Sequence, residues 1–322
     1  MDKVAFIIHG RYIYWPSVIL ALAVLAAVLM ALSLTLRQKQ PLAALCAALP
    51  LAIVFSLFFA RLIHWYCRFE GYESLAAALT RWAGGFSLIG VFVGTLLAFL
   101  LVRLLGLTKN LPALLDCAAP AAALGIAVGR LGDLFTAADR GKLLIADAAY
   151  QRLPFASPVT NSVSGAVEWR FAGFFVQSLW AWVIFLLLMV CILRPKKEGE
   201  QPAHGSVFLL FMSLYCLGQI LLDSTRYDAL FLRSNGFVSL EQILCCAVLA
   251  AILTLRSVRA IRSRGFSRLL PAAWLAALGA LGGAGYMEYY VQRHGNEALL
   301  AYAVMAACLA AHFFASRAVE ET

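Results

Sequence analysis

Residues 14–36 read YWPSVILALAVLAAVLMALSLTL, an apolar run without a charged side chain. A helix needs roughly 20 such residues to cross a bilayer. Backbone groups in hydrocarbon must be satisfied inside their own segment, and a run of this length exceeds a barrel strand. The stretch therefore predicts a spanning helix. It is too long for a signal-peptide core, and no small-residue cleavage site follows it. Further stretches of the same kind run at approximately 41–63, 84–107, 110–135, 171–194, 205–223, 238–257, 268–288 and 298–316. The expected fold is all-α: a polytopic integral membrane helical bundle.

Composition points the same way. The 322 residues are 63% hydrophobic and 13% charged, with a mean hydropathy of +0.84. Soluble domains carry about 25% charged residues, so a soluble enzyme and a disordered chain are both excluded. The net charge of +9 belongs with a lipid bilayer, and no nucleic-acid partner is expected. Cys46, Cys117, Cys191, Cys216, Cys245, Cys246 and Cys308 lie inside apolar runs, with no metal-type spacing. They read as small packing residues, and no cofactor or metal is implied.

Lysine and arginine bias sets orientation. Arg37 and Lys39, Arg103 and Lys109, and Arg194, Lys196 and Lys197 follow the first, third and fifth spans. Arg256, Arg259, Arg262, Arg264 and Arg268 follow the seventh. These short basic loops predict an N-terminus outside and a cytoplasmic C-terminus. Segments 64–83, 136–170 and 224–237 then face outward as loops. The basic segment 256–268 marks a boundary, predicting one membrane domain over 1–257 and an accessory helix pair over 258–322.

Ionisable residues at membrane depth are expensive and mark function. Arg61, Arg130 and Arg226 qualify, and the orientation puts all three at the same outer level. Gly125, Gly129 and Gly132 are spaced to clear one helix face beside Arg130. Such a face suits a phospholipid headgroup, since guanidinium grips phosphate with two bonds. It equally suits a tight helix–helix contact with an internal Arg130–Asp133 pair. Arg226 lies between Asp223 and Asp228, and His64 follows Arg61 by one turn.

These residues resemble the prolipoprotein diacylglyceryl transferases, seven-helix enzymes of the bacterial inner membrane. Gly129-Arg130-Leu131-Gly132-Asp133-Leu134-Phe135, closing with Gly141, is similar to the signature G-R-x-G-N-F-x-N-x-E-x-x-G. Ala60-Arg61-Leu62 resembles the family's A-R-L. Residues Trp82 to Gly90 resemble W-Q-G-G-x-x-x-H/Y-G-G, and Phe174-Phe175-Val176-Gln177-Ser178 resembles F-L-Y-E-S. Asp223 to Asp228 is similar to E-x-x-R-x-D, and Ser239-Leu240-Glu241-Gln242-Ile243-Leu244 to the family's S-Q-L-L helix start. The likeness covers roughly residues 10–257 and implies a seven-helix transferase-like core plus two extra C-terminal helices. Several polar positions differ: Ile89, Asp133, Thr136, Ala138 and Gln177 stand where the family carries His or Tyr, Asn, Asn, Glu and Glu.

The resemblance implies transfer of a diacylglyceryl group from phosphatidylglycerol to the lipobox cysteine thiol of a prolipoprotein. Arg130 and Arg226 would stabilise the leaving phosphate, and Asp139 would take the thiol proton, with His64 and Asp133 as alternatives. Arg61, Gly129, Gly132, Asp133, Gly141, Gln177 and Asp223 would bind substrate. The expected setting is the bacterial plasma membrane, and the expected state is a monomer. The other reading is a non-catalytic phospholipid-binding protein that keeps the scaffold.

Overall fold

The computed structural model describes residues 4–68, 71–80, 85–160, 164–194, 204–231, 236, 238–294 and 298–321. Trp82, Ala83, Gly84, Lys196 and Lys197 lie outside the described residues. The chain opens with an antiparallel hairpin, β1 (Val4–Ile8) and β2 (Arg11–Tyr14). His9 and Gly10 form its tip with φ of 47° and 75°. Paired positive φ values suit the twist of a two-residue hairpin turn.

The helices follow as α1 (Trp15–Arg37), α2 (Leu42–Cys67), the short α3 (Leu75–Thr80), α4 (Leu88–Leu104) and α5 (Leu111–Gly129). A 3-10 turn, Arg130–Phe135, continues α5. Strand β3 (Arg140–Leu144), the single-turn α6 (Ala148–Gln151) and strands β4 (Ala156–Thr160) and β5 (Val167–Ala172) come next. Then α7 (Gly173–Leu193), α8 (Ser206–Ser224), α9 (Leu240–Arg264), α10 (Leu270–His294) and α11 (Ala298–Glu321) complete the chain. Among the described residues, eight helices are long and apolar enough to cross a membrane, while α4 is a shorter apolar helix of 17 residues. The protein is thus a multi-pass, all-α membrane protein.

Local sequence explains the helix ends. Pro16 stands in the first turn of α1, where its missing N–H is harmless. Asn110 caps α5 by accepting the Ala113 N–H at 3.3 Å. Ser239 and Gln242 close a capping box on α9. Two expected boundaries shift. Helix α9 runs through the basic segment to Arg264, ending at Gly265 with φ of 87°. Segment 136–170, expected as a loop, holds a three-stranded antiparallel sheet in the order β3-β5-β4. Val159, Val167, Trp169 and Phe171 carry the β preference there, and Ala156 to Thr160 pair with Phe171 to Val167.

The chain divides into two compact units, Met1–Arg140 with Leu144–Phe211, and Gly141–Leu143 with Met212–Thr322. In the first, Ala44, Leu45, Ala48, Phe99, Val102 and Leu114 share one apolar core. Helices α2 and α4 touch backbone to backbone. A Cβ on Gly90 would lie 2.4 Å from the Ala60 backbone, and one on Gly94 2.4 Å from that of Phe55. Ser56 Oγ meets the Val91 carbonyl and Thr95 Oγ1, each at 3.0 Å, along this seam. Gly90→Ala must push the helices apart, so it should cost roughly 1–3 kcal/mol of stability. Thermal unfolding of the purified protein checks this, and an unchanged midpoint refutes the contact.

In the second unit, Cys216, Leu217 and Ile220 of α8 and Cys245 and Leu249 of α9 pack with Ala284 of α10 and Met305 and Leu309 of α11. Arg256, expected as a cytoplasmic loop charge, is instead a buried residue of α9. It donates to Ser316 Oγ at 2.9 Å and pairs with Glu320 at 3.0 Å. Both partners lie on α11, so this charge is spent between helices.

Candidate active site

The first cluster sits where α5 gives way to the 3-10 turn. Arg130 ends α5, and its guanidinium pairs with the carboxylate of Asp139. Asp133 Oδ2 lies 3.5 Å from Arg130 Nη1, at the i,i+3 spacing that brings side chains together. Asp139 is 2% exposed and sits in a left-handed conformation, φ 54°, at the entrance to β3. Aspartate tolerates that conformation better than most residues. The backbone carbonyl of Asp139 accepts the Phe174 N–H at 3.2 Å, the first turn of α7. Gly173 permits this: a Cβ there would meet that carbonyl oxygen at 2.9 Å.

Arg140 locks the loop. Its Nη2 donates to the carbonyls of Thr136 at 2.9 Å, Asp133 at 3.1 Å and Leu134 at 3.4 Å. These are carbonyls at the C-terminal end of the 3-10 turn, where its own donors run out; that of Asp133 also accepts the Thr136 N–H at 3.2 Å. The Arg140 guanidinium also lies 4.4 Å from the centre of the Phe174 ring. Sequence reasoning missed Arg140; the available signal was a cation just past a helix end.

The glycine face has a definite partner. A Cβ on Gly125 would meet Ala27 Cβ at 3.2 Å, one on Gly129 would meet Ala23 Cβ at 3.6 Å, and one on Gly132 would meet the Pro16 carbonyl at 3.5 Å. Helix α1 therefore fills the expected lipid slot, and this stripe serves helix packing. Phe135 stacks on Trp15 at 5.9 Å along the same seam. Gln177 of α7 is buried, and neither atom of its amide has a hydrogen-bond partner among the described residues. Its neighbour Ser178 donates to the Ala127 carbonyl at 2.6 Å.

Arg61, 3% exposed, has other partners. Its Nε donates to the Ala78 carbonyl at 2.8 Å and its Nη1 to the Gly85 carbonyl at 2.9 Å. The rings of Tyr72 and Phe86 flank it at 5.6 and 5.3 Å. Tyr72 Oη lies 3.0 Å from His64 Nδ1. Arg61 therefore ties α2 to α3 and to the segment before α4.

The second unit holds its own cluster, around Arg226. Nε donates to Asp228 Oδ1 at 3.2 Å, and Nη1 donates to Asp223 Oδ1 at 3.1 Å and Glu241 Oε2 at 2.9 Å. Asp223 is 1% exposed and accepts the Ser239 hydroxyl. Gln219 Nε2 holds Glu241 Oε2 at 3.2 Å. Burial alone would lower the basicity of Arg226, but Glu241, Asp223 and Asp228 outweigh it and hold the guanidinium firmly protonated. Gly141 forms a backbone bridge with Arg226, and the Lys142 N–H donates to the Thr225 carbonyl at 2.8 Å. Glu241 was also not singled out from sequence. Its signal was an acid in the first turn of a capped helix, where the dipole favours negative charge.

The family profile for prolipoprotein diacylglyceryl transferase matches residues 3–257. A protein of Parasynechococcus marenigrum named phosphatidylglycerol–prolipoprotein diacylglyceryl transferase is 29% identical over 222 residues, covering 67% of this chain and 77% of the relative. One of the same name from Oceanobacillus iheyensis is 27% identical, covering 74% and 84%. A third, from Mycobacterium bovis, is 32% identical over 58% of this chain, which spans 43% of that longer relative.

Proposed function

We infer from the prolipoprotein diacylglyceryl transferase family, to which this chain belongs, that it moves a diacylglyceryl group from phosphatidylglycerol to the lipobox cysteine thiol of a prolipoprotein. The observation that carries the residue-level reading is the ion pair of Arg130 with buried Asp139, inside the family signature. A phosphate and a carboxylate compete for the same guanidinium geometry. Lipid phosphate arriving at Arg130 displaces Asp139, whose carboxylate is a poor proton acceptor while paired. Once released, Asp139 takes the thiol proton. The thiolate attacks the glyceryl carbon, the carbon–sulfur bond forms, and the carbon–oxygen bond to phosphate breaks. Glycerol phosphate leaves with its charge on Arg130.

By its place in the family motif Arg226 also serves the leaving phosphate, and the carboxylates around it fix the plane of its donors. Asp133 steadies Arg130, and Gly129 and Gly132 let α1 approach close enough to hold it. Gly141 supports Arg226 through their backbone bridge. Arg61 acts by shaping the segment around Gly85, and the buried amide of Gln177 supplies a polar contact to substrate. The segment 136–170 forms the peptide entrance; an open groove there, lined by Leu144, Ile145, Val167 and Trp169 with Gln151 and Glu168, suits a peptide with both apolar and polar side chains. Residues 1–257 form the transferase domain and 258–322 the accessory pair, a division supported by the end of the family match. The protein acts as a monomer in the bacterial plasma membrane, N-terminus outside and C-terminus cytoplasmic, as the basic helix ends favour.

Complementation tests the activity. In a strain depleted of its own transferase, expression should restore thioether-modified lipoprotein. Phosphatidylglycerol co-purifying with the protein without any lipidation would instead support the non-catalytic reading.

A further inference from the structure

The segment that delivers Arg226 is held from two sides within the second unit. On one side lie Gly141 and Lys142, paired to Arg226 and Thr225 through backbone. On the other side lie α10 and α11, beyond the stretch matched by the family profile. The Lys142 ammonium bridges the two. It donates to the Ser224 carbonyl at 3.3 Å and to Gln292 Oε1 of α10 at 3.0 Å. Gln292 Nε2 donates in turn to Glu288 Oε1 at 2.8 Å, one turn back on the same helix. Tyr302 of α11 donates its hydroxyl to the same Ser224 carbonyl at 3.5 Å.

This arrangement is costly unless it serves something. Glu288 is 4% exposed in a helix of membrane-spanning length, and its Oε2 has no hydrogen-bond partner among the described residues. A buried carboxylate costs several kcal/mol unless it is compensated. Here its compensation is an amide that reaches the lysine next to Gly141. The Ser224 carbonyl ends α8, where the negative end of the helix dipole favours a cation such as Lys142.

We infer that Gln292, Glu288 and Tyr302 are positioning residues for the transfer reaction, fixing Arg226 by clamping Ser224 to Arg226 against Gly141 and Lys142. This rests on the transferase reading of Arg226. The accessory helices are then part of the catalytic machinery, and the chain works only with them in place.

The full-length protein in nanodiscs tests this with two readouts. Gln292→Leu combined with Tyr302→Phe should lower kcat about tenfold, with KM for phosphatidylglycerol within twofold. Gln292→Glu combined with Glu288→Gln keeps an acceptor for Lys142 and the amide–carboxylate bond along α10, and should retain wild-type kcat within twofold. Amide hydrogen exchange should speed up across residues 224–226 and 141–143 in the Gln292→Leu, Tyr302→Phe variant, and stay unchanged in α1 and α5. If kcat and exchange both match wild type, the clamp is refuted. If kcat falls but the Gln292→Glu, Glu288→Gln variant falls equally, Gln292 serves only packing and the positioning role is overturned. A wild-type protein that transfers nothing sinks the transferase reading alone, because the exchange readout still reports on the clamp.

Discussion

Arg130→Lys leaves the protein folded and cuts diacylglyceryl transfer by about 10²–10³-fold, the range for loss of a charge-stabilising donor. Lysine still offers Asp139 a positive charge, so the buried carboxylate stays compensated and the loop keeps its shape. Lysine cannot present two parallel N–H donors to a phosphate. The barrier rises because charge concentrates on the leaving phosphate in the transition state. Arg130→Ala should lose transfer equally, and should also lose stability by removing the ion pair with buried Asp139. The measurement is phosphatidylglycerol-dependent lipidation of a lipobox peptide, with thermal unfolding in parallel. Unchanged turnover in both variants would sink the role.

Arg226→Met removes the cation that pairs with Asp223, Asp228 and Glu241. Breaking a buried pair costs about 3–5 kcal/mol, because the partner carboxylates stay behind in a poor dielectric. The unfolding midpoint should fall by roughly 4–7 °C. Arg226→Met with Glu241→Gln should recover part of that loss, since one abandoned charge becomes a neutral amide. The double variant should nevertheless transfer nothing, which separates the stabilising job of Arg226 from its chemical one. A midpoint that does not move in Arg226→Met would show that the carboxylates do not depend on it.

Legibility differed from residue to residue. The spans were visible because hydrocarbon admits only long apolar helices, a constraint written into composition. Arg130, Asp133, Arg226 and Asp223 were visible because charge inside apolar sequence is rare. Arg140, Glu241 and Glu288 were not singled out. Each sits at a helix end or in an ordinary-looking helix, and its contacts emerge only from the fold: Arg140 with Asp133, Glu241 with Arg226, and Glu288 through Gln292 with Lys142. The strands of segment 136–170 escaped for a related reason. Glycine, proline and polar residues interrupt them, and their pairing across the sheet, not local periodicity, fixes them.

The glycine stripe marks the division most clearly. By itself the sequence determined that Gly125, Gly129 and Gly132 clear one face of α5, because helical spacing dictates it. It also determined a multi-pass membrane bundle and the family signature. Only the tertiary structure decided that α1 fills that face, that Asp139 closes on Arg130, that α10 reaches Lys142 and that α11 reaches Ser224. The physical reason is that spacing along a helix says which side chains share a face. What that face meets depends on which distant segment buries the most surface against it.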